Sequence, residues 1–455
     1  MRVRLIVGLL FALLGSACQA LESADPPHLQ ECVETLSSSR FGGRMLGSSE
    51  AIMARRWIAQ EAESAGLLPA EDPQNPLQPF RVLGRRWESI EASLVDQAGR
   101  SHSLIMKSES RPFEEFGSIL PWPSDEAPPP CALGEILARD FDPARGDSPV
   151  ELLDLASAAG AGALLLLPPS EDEHGLFARY RQRAASSEQS AYCLPGDPFQ
   201  PLLLYGSDSL KIDLLAGKND WHLRLPDYES FSLEGGNLLY RVPRARDGDP
   251  IVLLVAHYDH LGREGDAFYP GANDNASGVA VLLELAALLE QRRYPFQLRF
   301  LFSDGEEEGW LGARYCLEHS DRPALMINLD TVGRAGVEHY RFLGDPSAAR
   351  EELLMLWTDR SRPSSALLGE MAEDAGFELR RGEGPIFERA GDHFPYARAG
   401  MPAMFLFGGF HADYHQKGDT ADKVLPGKLA NLTELLRDYL DALAEDPSLI
   451  GSSTR

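Results

Sequence analysis

From residue 232 onward, short apolar runs alternate with stretches of helical spacing, and no other feature of the chain restricts its fold so strongly. The runs "IVLLVAH" (251–257), "LRFLFS" (298–303), "LMINLD" (325–330) and "AMFLF" (403–407) lack a sustained apolar–polar alternation. A strand with one wet face alternates; a strand covered on both faces reads as a continuous apolar run. Between them stand "SGVAVLLELAALLEQRR", "GARYCLEHS" and "SALLGEMAEDAGF", all with helical periodicity. The closing "PGKLANLTELLRDYLDALAED" is a further amphipathic helix, with Pro426 in its first turn. This order predicts an α/β fold with a mostly parallel, mixed sheet flanked by helices on both faces. In such sheets ligands gather beyond the carboxyl ends of the strands.

Upstream, residues 26–64 predict two helices, the second opening on a serine cap and ending at Gly66, and "PLQPFRVLGRR" starts a strand. From about residue 98 to 231 the texture changes. "PWPSDEAPPP" is a proline-rich connector, and "PVELLDLASAAGAGALLLLPP" reads as a helix followed by a buried strand. The expected organisation is one domain over 26–97 and 232–446, with a smaller domain of its own core inserted over 98–231. A chain of 455 residues accommodates two or three such units.

Residues 1–20 read as an export signal: "MRVR" supplies positive charge, "LIVGLLFALL" an apolar core and "GSAC" small residues. That core is too short for a membrane-spanning helix. Cys18 either becomes a lipidated N-terminus, as "LLGSAC" suggests, or an ordinary signal peptidase cuts near Ala17 or Ala20. The expected location is therefore periplasmic, outer-membrane lipoprotein or secreted, with membrane contact only through a lipid on Cys18. An oxidising compartment would then suit a Cys131–Cys193 disulfide. The five cysteines contain no CxxC pair, which argues against a zinc finger. A net charge of −26 argues against a basic surface for nucleic acid.

The chemistry-bearing residues stand at the strand ends. His257 and Asp259 follow one strand in "AHYDHLG", and Asp274 lies in the "GANDNASG" turn before a helix. Glu306 and Glu307 follow the next strand, Asp330 ends another, and Tyr414 and His415 lie in the loop beyond "AMFLF". Singly, each has an ordinary explanation as a turn, a helix cap or a solvated helix start. Their coincidence on one sheet edge is what points to a metal site. Neutral imidazole favours zinc over calcium. One zinc takes three protein ligands and water, and this set suffices for two ions if one carboxylate bridges. A further carboxylate must stay off the metals as general base, and adjacent Glu306 and Glu307 are suited to divide these jobs.

The motifs "AHYDHLG", "PGANDNASGVAVLLELA", "EEEGWLGARY", "INLDTVGR", "GDHFPY" and "DYHQKGDT" together resemble the two-zinc aminopeptidases of metallopeptidase family twenty-eight, whose relatives include glutamate carboxypeptidases and glutaminyl cyclases. The resemblance covers residues 26 to about 95 and 232 to 445, and the intervening segment is similar to a divergent protease-associated domain. It implies two zinc ions per chain, one held by His257 and Asp330, the other by Glu307 and His415, with Asp274 bridging. It further implies Glu306 as general base, Asp259 as the carboxylate orienting His257, and Tyr414 as donor to the oxyanion. Asp392, His393, Phe394 and Tyr396 would line the substrate pocket, and a cis peptide would follow Asp274. "HQKG" departs from the family's usual "HTP" and leaves the ligand in place. The implied substrate is a peptide with a free N-terminus. A glutaminyl cyclase would hold a single zinc, and a carboxypeptidase would need a cationic clamp, for which Arg381, Arg389 and Arg398 are the nearest cations. A non-catalytic binding protein would be expected to have lost Glu306 or a ligand, and both remain.

Overall fold

The structure is a computed structural model that describes residues 23–450, except 90, 97–99, 108–118, 125, 133–134, 143–146, 170–176, 180–181, 183–189, 196, 198–201, 217–220, 244–247, 335–350 and 382–389. The export signal expected at 1–20, Cys18 included, lies outside the described residues, as does Arg389. The chain gathers into two compact units. Of the described residues, one unit holds those within 23–79, 236–381 and 390–450; the other holds those within Phe80–Gly235. The second unit starts at Phe80, ahead of the change in texture at residue 98. The strand Leu77–Trp87 continues past Pro79 and pairs antiparallel with Ser190–Cys193.

The first unit opens on helices α1 (Pro26–Leu36) and α2 (Ser49–Ser64), the latter capped by Ser48, whose side chain accepts from Ala51 N. Strand β1 (Tyr228–Arg241) comes next, and β2 (Ile251–His257) leads through a loop into α3 (Ser277–Leu289). Then follow β3 (Gln297–Ser303), α4 (Leu311–His319) and β4 (Leu325–Asp330). Next come β5 (Glu351–Trp357), α5 (Arg362–Asp374), β6 (Phe377–Arg381), α6 (His393–Arg398), β7 (Ala403–Phe407) and α7 (Pro426–Glu445).

The sheet order is β6-β5-β7-β4-β2-β3-β1. Strands β7, β4, β2 and β3 run parallel, with Asp330 beside Phe407 and His257 beside Ser303. Flanking β5 and β1 are antiparallel to their inner neighbours, so the sheet is mixed, as expected. Every residue of β2 is buried, and its two faces enter different cores. Val252, Leu254 and Ala256 pack with α1, α3 and α7, whereas Ile251, Leu253 and Val255 pack with Ala313 and Cys316 of α4 and Tyr396 of α6. Helices on both faces are the reason the strand shows no alternation.

The second unit contains a seven-stranded sheet with its own core. Its helix Pro149–Ala158 starts at Ser148, and its strand Ala163–Leu167 is buried throughout, as the spacing predicts. The expected Cys131–Cys193 disulfide is not formed. Cys131 is held beside the helix end by a bond from its N to Ala159 O, while Cys193 lies on a strand paired with Leu77–Trp87, so the two thiols belong to separate elements. Among the described residues no helix is long and apolar enough to cross a membrane.

Candidate metal centre

Parallel strands bring their carboxyl ends to one edge, and that edge collects the ionisable residues. His257 is the last residue of β2 and Asp330 the last of β4; Glu306 and Glu307 follow β3, and His415 lies in the loop after β7. Asp274 sits between β2 and α3, in a turn entered through Gly271 at φ +55°, and the Asp274–Asn275 peptide is cis, as the resemblance implies. The asparagines beside it do more than end a turn. Asn275 Nδ2 donates to Leu329 O, and its Oδ1 accepts from Gly278 N and Thr331 N. Asn273 Oδ1 accepts from Gly333 N. These bonds stitch the turn to the loop around Asp330. Asp419 Oδ2 accepts the backbone N–H of both Asn273 and Asp274, fixing the turn from the other side.

The two oxygens of Asp274 face different histidines. His257 Nε2 is 3.4 Å from Asp274 Oδ1 and 3.5 Å from Asp330 Oδ1; His415 Nε2 is 3.2 Å from Asp274 Oδ2 and 3.1 Å from Glu307 Oε2. Ligand atoms held about 2.0–2.2 Å from one tetrahedral zinc lie roughly 3.3–3.6 Å apart, so these separations have the right scale. His257 Nε2, Asp274 Oδ2, Asp330 Oδ1 and His415 Nε2 are buried, and none makes a hydrogen bond. Buried polar atoms are normally satisfied, and four converging orphans fit a cation. The donor set thus fits a pair of divalent ions sharing Asp274.

Local charge follows from this crowding. Burial opposes it, yet Asp259, Asp274 and Asp330 hold the His257 imidazole well above its ordinary range. His415 is raised to about 11 against burial by Glu307 and Asp274, and Glu307 is held at about 2, also against burial, by His415 and His260. Asp330 is pushed up to about 6 by burial, with His257 opposing. Burial also pushes the Glu306 carboxyl well above the usual carboxylate range, with His257 opposing and Glu307 and Asp330 adding to the rise. Among the described residues the Glu306 carboxylate makes no hydrogen bond or ion pair, unlike that of Glu307.

Asp259 faces both His257 and the two glutamates. His257 Nδ1 bonds to the backbone oxygen of Asp259 at 3.2 Å, and the carboxylate stands 3.6 Å away. The two carboxylate oxygens also accept from Glu306 N and Glu307 N, at 3.2 and 3.3 Å. Asp259 therefore meets His257 through its main chain and its carboxylate, and holds the two glutamate amides with the same side chain. His260, in the same "AHYDHLG" motif, was given no role by the sequence. It is buried, with Nδ1 2.7 Å from Glu307 Oε1, and with Asp274 and Glu307 it forms a second group of metal-ligand type. Its position three residues past a strand end, between Asp259 and Gly262, was the available signal.

Tyr414 stacks on His415 with ring centroids 4.0 Å apart. Burial, with Asp274, Glu307 and Asp330 nearby, keeps its phenol well above the ordinary range, so it remains a donor. The four residues expected to line a pocket separate. Asp392, His393 and Tyr396 are buried: Asp392 accepts from Ser303 Oγ, His393 stacks on Phe405 and Tyr396 joins the α4–α6 core. Only Phe394 is half-buried, 4.9 Å from Trp310. Backbone with positive φ in non-glycine residues gathers here too, at Trp310, Thr331 and His415, as residues held by a site often show.

Residues 237–440 match the model of peptidase family M28. Aminopeptidase YwaD of Bacillus subtilis is 28% identical over 198 residues, 41% of this chain and 39% of that protein. The probable lipoprotein aminopeptidase LpqL of Mycobacterium tuberculosis is 29% identical over 208 residues, 38% of this chain and 39% of that protein. The chain spans about two fifths of the length of these curated relatives. The aminopeptidase from Aneurinibacillus sp. strain AM-1 superposes with a TM-score of 0.60 at 21% identity, covering 94% of this chain and 95% of its own. A zinc aminopeptidase from Bacillus subtilis gives 0.53 at 21% identity, over 95% of this chain and 97% of its own. These superpositions share the fold, and the stretch that matches the M28 family model contains every proposed ligand from His257 to His415.

Proposed function

We propose that this protein is a zinc-dependent aminopeptidase that removes residues from the free N-terminus of peptides. One observation carries the reading: Asp274 presents one oxygen to His257 and the other to His415, while Glu306 beside them stays unengaged. Two bound zinc ions would supply Lewis-acid polarisation of the scissile carbonyl and ease deprotonation of water. His257 and Asp330 would hold one ion, Glu307 and His415 the other, and Asp274 would bridge.

Glu306 takes the proton of the attacking water and returns it to the leaving amine. Its raised proton affinity suits both transfers. Asp259 fixes the glutamate backbone so that Glu306 and Glu307 point to separate tasks. Tyr414 donates to the developing oxyanion, a role its protected phenol can fill. Phe394 and Trp310 supply the partly open aromatic surface for the substrate side chain.

The export signal at residues 1–20 and the resemblance to a probable lipoprotein aminopeptidase support action outside the cytoplasm. The test is a peptide panel with free and blocked N-termini and varied C-termini, run with metal analysis on the same sample. Cleavage only of free N-termini, with two zinc ions per chain, is expected. Cyclisation of N-terminal glutamine with one zinc, or C-terminal trimming, would overturn the reading.

A further inference from the structure

Arg44 lies outside the stretch that matches the family model, in the segment between α1 and α2, and is fully buried. Its guanidinium makes four hydrogen bonds, all to backbone carbonyls. Nε donates to Tyr258 O at 2.7 Å, Nη1 to Leu36 O and Pro270 O at 2.6 and 2.8 Å, and Nη2 to Gly271 O at 2.9 Å. Tyr258 stands between His257 and Asp259, and Gly271 lies just before the Asp274 turn. One side chain therefore ties together two of the backbone segments from which proposed ligands project, those of His257 and Asp274.

The surrounding chain is shaped for this approach. Arg44 itself has φ +53°, and Gly43, at φ +82°, lies where a Cβ would fall on the Gly262 carbonyl oxygen. Gly43 O accepts from Gly262 N at 3.0 Å, adding a direct backbone bond between the same segments. Among the described residues no carboxylate pairs with Arg44. A buried cation without a counter-ion is costly, and its persistence asks for a reason. Five donors in a rigid planar fork can reach carbonyls in several directions at once, which a lysine ammonium cannot reproduce.

We propose that Arg44 is a positioning residue of the metal centre, holding the Tyr258 and Pro270–Gly271 backbone so that His257 and Asp274 converge on zinc. The inference rests on the two-zinc reading above. Asp274, Asp259, Asp419 and Glu307 are the acids nearest in their pull on this cation, which supplies a discriminating sign. If Arg44 mattered only as a charge, its removal would strengthen binding of a second cation nearby. As a clamp, its removal weakens that binding.

The experiment compares wild type, Arg44→Lys and Arg44→Met by zinc affinity in competition with a chromophoric chelator, and by melting with and without zinc. Both variants are expected to bind zinc about 10–100-fold more weakly, the usual cost of losing a partner that orients metal ligands. The rise in melting temperature on adding zinc should shrink accordingly. Three results overturn the proposal: tighter binding by Arg44→Met with Arg44→Lys like wild type; unchanged affinity in both; or lower melting of the zinc-free protein with an undiminished response to zinc. If Arg44→Met does not accumulate as folded protein, Arg44→Lys, which keeps the charge and loses the fork, decides between clamp and scaffold. A wild type that binds no zinc overturns the two-zinc reading as well, whereas two zincs held equally by all three proteins removes this inference alone.

Discussion

Asp274 Oδ2 lies 3.2 Å from His415 Nε2, joining a turn before α3 to a loop after β7. The contact depends on both loops being held. Asp419, four residues beyond His415, grips the Asp274 amide, and Asn273 and Asn275 tie the turn to the loop carrying Asp330. The Asp274 turn is thus held by side chain–backbone bonds, with the ligand atoms left over for a cation.

Substituting Glu306 by Gln should leave zinc content unchanged and lower kcat by about 10²–10⁴, the span of a positioned acid or base. Kinetics on a chromogenic aminoacyl substrate, alongside zinc analysis, checks this. Loss of a zinc from Glu306→Gln would mean that Glu306 and Glu307 have exchanged roles.

Metal stoichiometry should separate the bridge from a single-ion ligand. Asp274→Ala is expected to lose both zincs and His415→Ala only one, because only Asp274 faces both histidines. Equal losses from the two variants would remove the shared-carboxylate arrangement.

Tyr414→Phe deletes one donor near the reacting centre and should lower kcat by about 10²–10³, with zinc content intact. The phenol is held well above its ordinary range, so the wild-type rate should show no loss from Tyr414 ionisation through pH 10. A rate unchanged by the substitution would exclude the hydroxyl from catalysis.

On α1, His28 Nδ1 meets the buried Glu284 carboxylate at 2.6 Å, and that carboxylate also accepts from Asp25 N at the start of the helix. Cys32 and then Glu284 raise the imidazole to about 11. A raised folded value means stabilisation that is complete below the unfolded value of about 6.5 and is lost as pH climbs towards 11. The melting difference between wild type and His28→Gln should therefore be largest near pH 6 and shrink by pH 10. A difference constant across that range would show that the pair is held by packing alone.

Much of the architecture was legible along the chain. The runs at 251–257, 325–330 and 403–407 emerged as buried parallel strands, and "SSEAIMARR" as a capped helix. Strand β5, read as neither strand nor helix, lies between β6 and β7 and antiparallel to β7, a pairing that its own residues do not specify. The expected pocket residues Asp392, His393 and Tyr396 proved buried because α6 packs on α4 and β4, a contact no local spacing reveals.

By itself, the sequence determined which segments are buried strands and which polar residues sit at their ends, since burial on both faces is written as consecutive apolar residues. Only tertiary structure decided that Asp259 spends its carboxylate on the Glu306 and Glu307 amides, that His260 reaches Glu307, and that Arg44 clamps Tyr258 and Gly271. The reason is physical: hydrophobic periodicity is a property of neighbouring residues, whereas a hydrogen bond between distant residues exists only once the packed chain has brought donor and acceptor together.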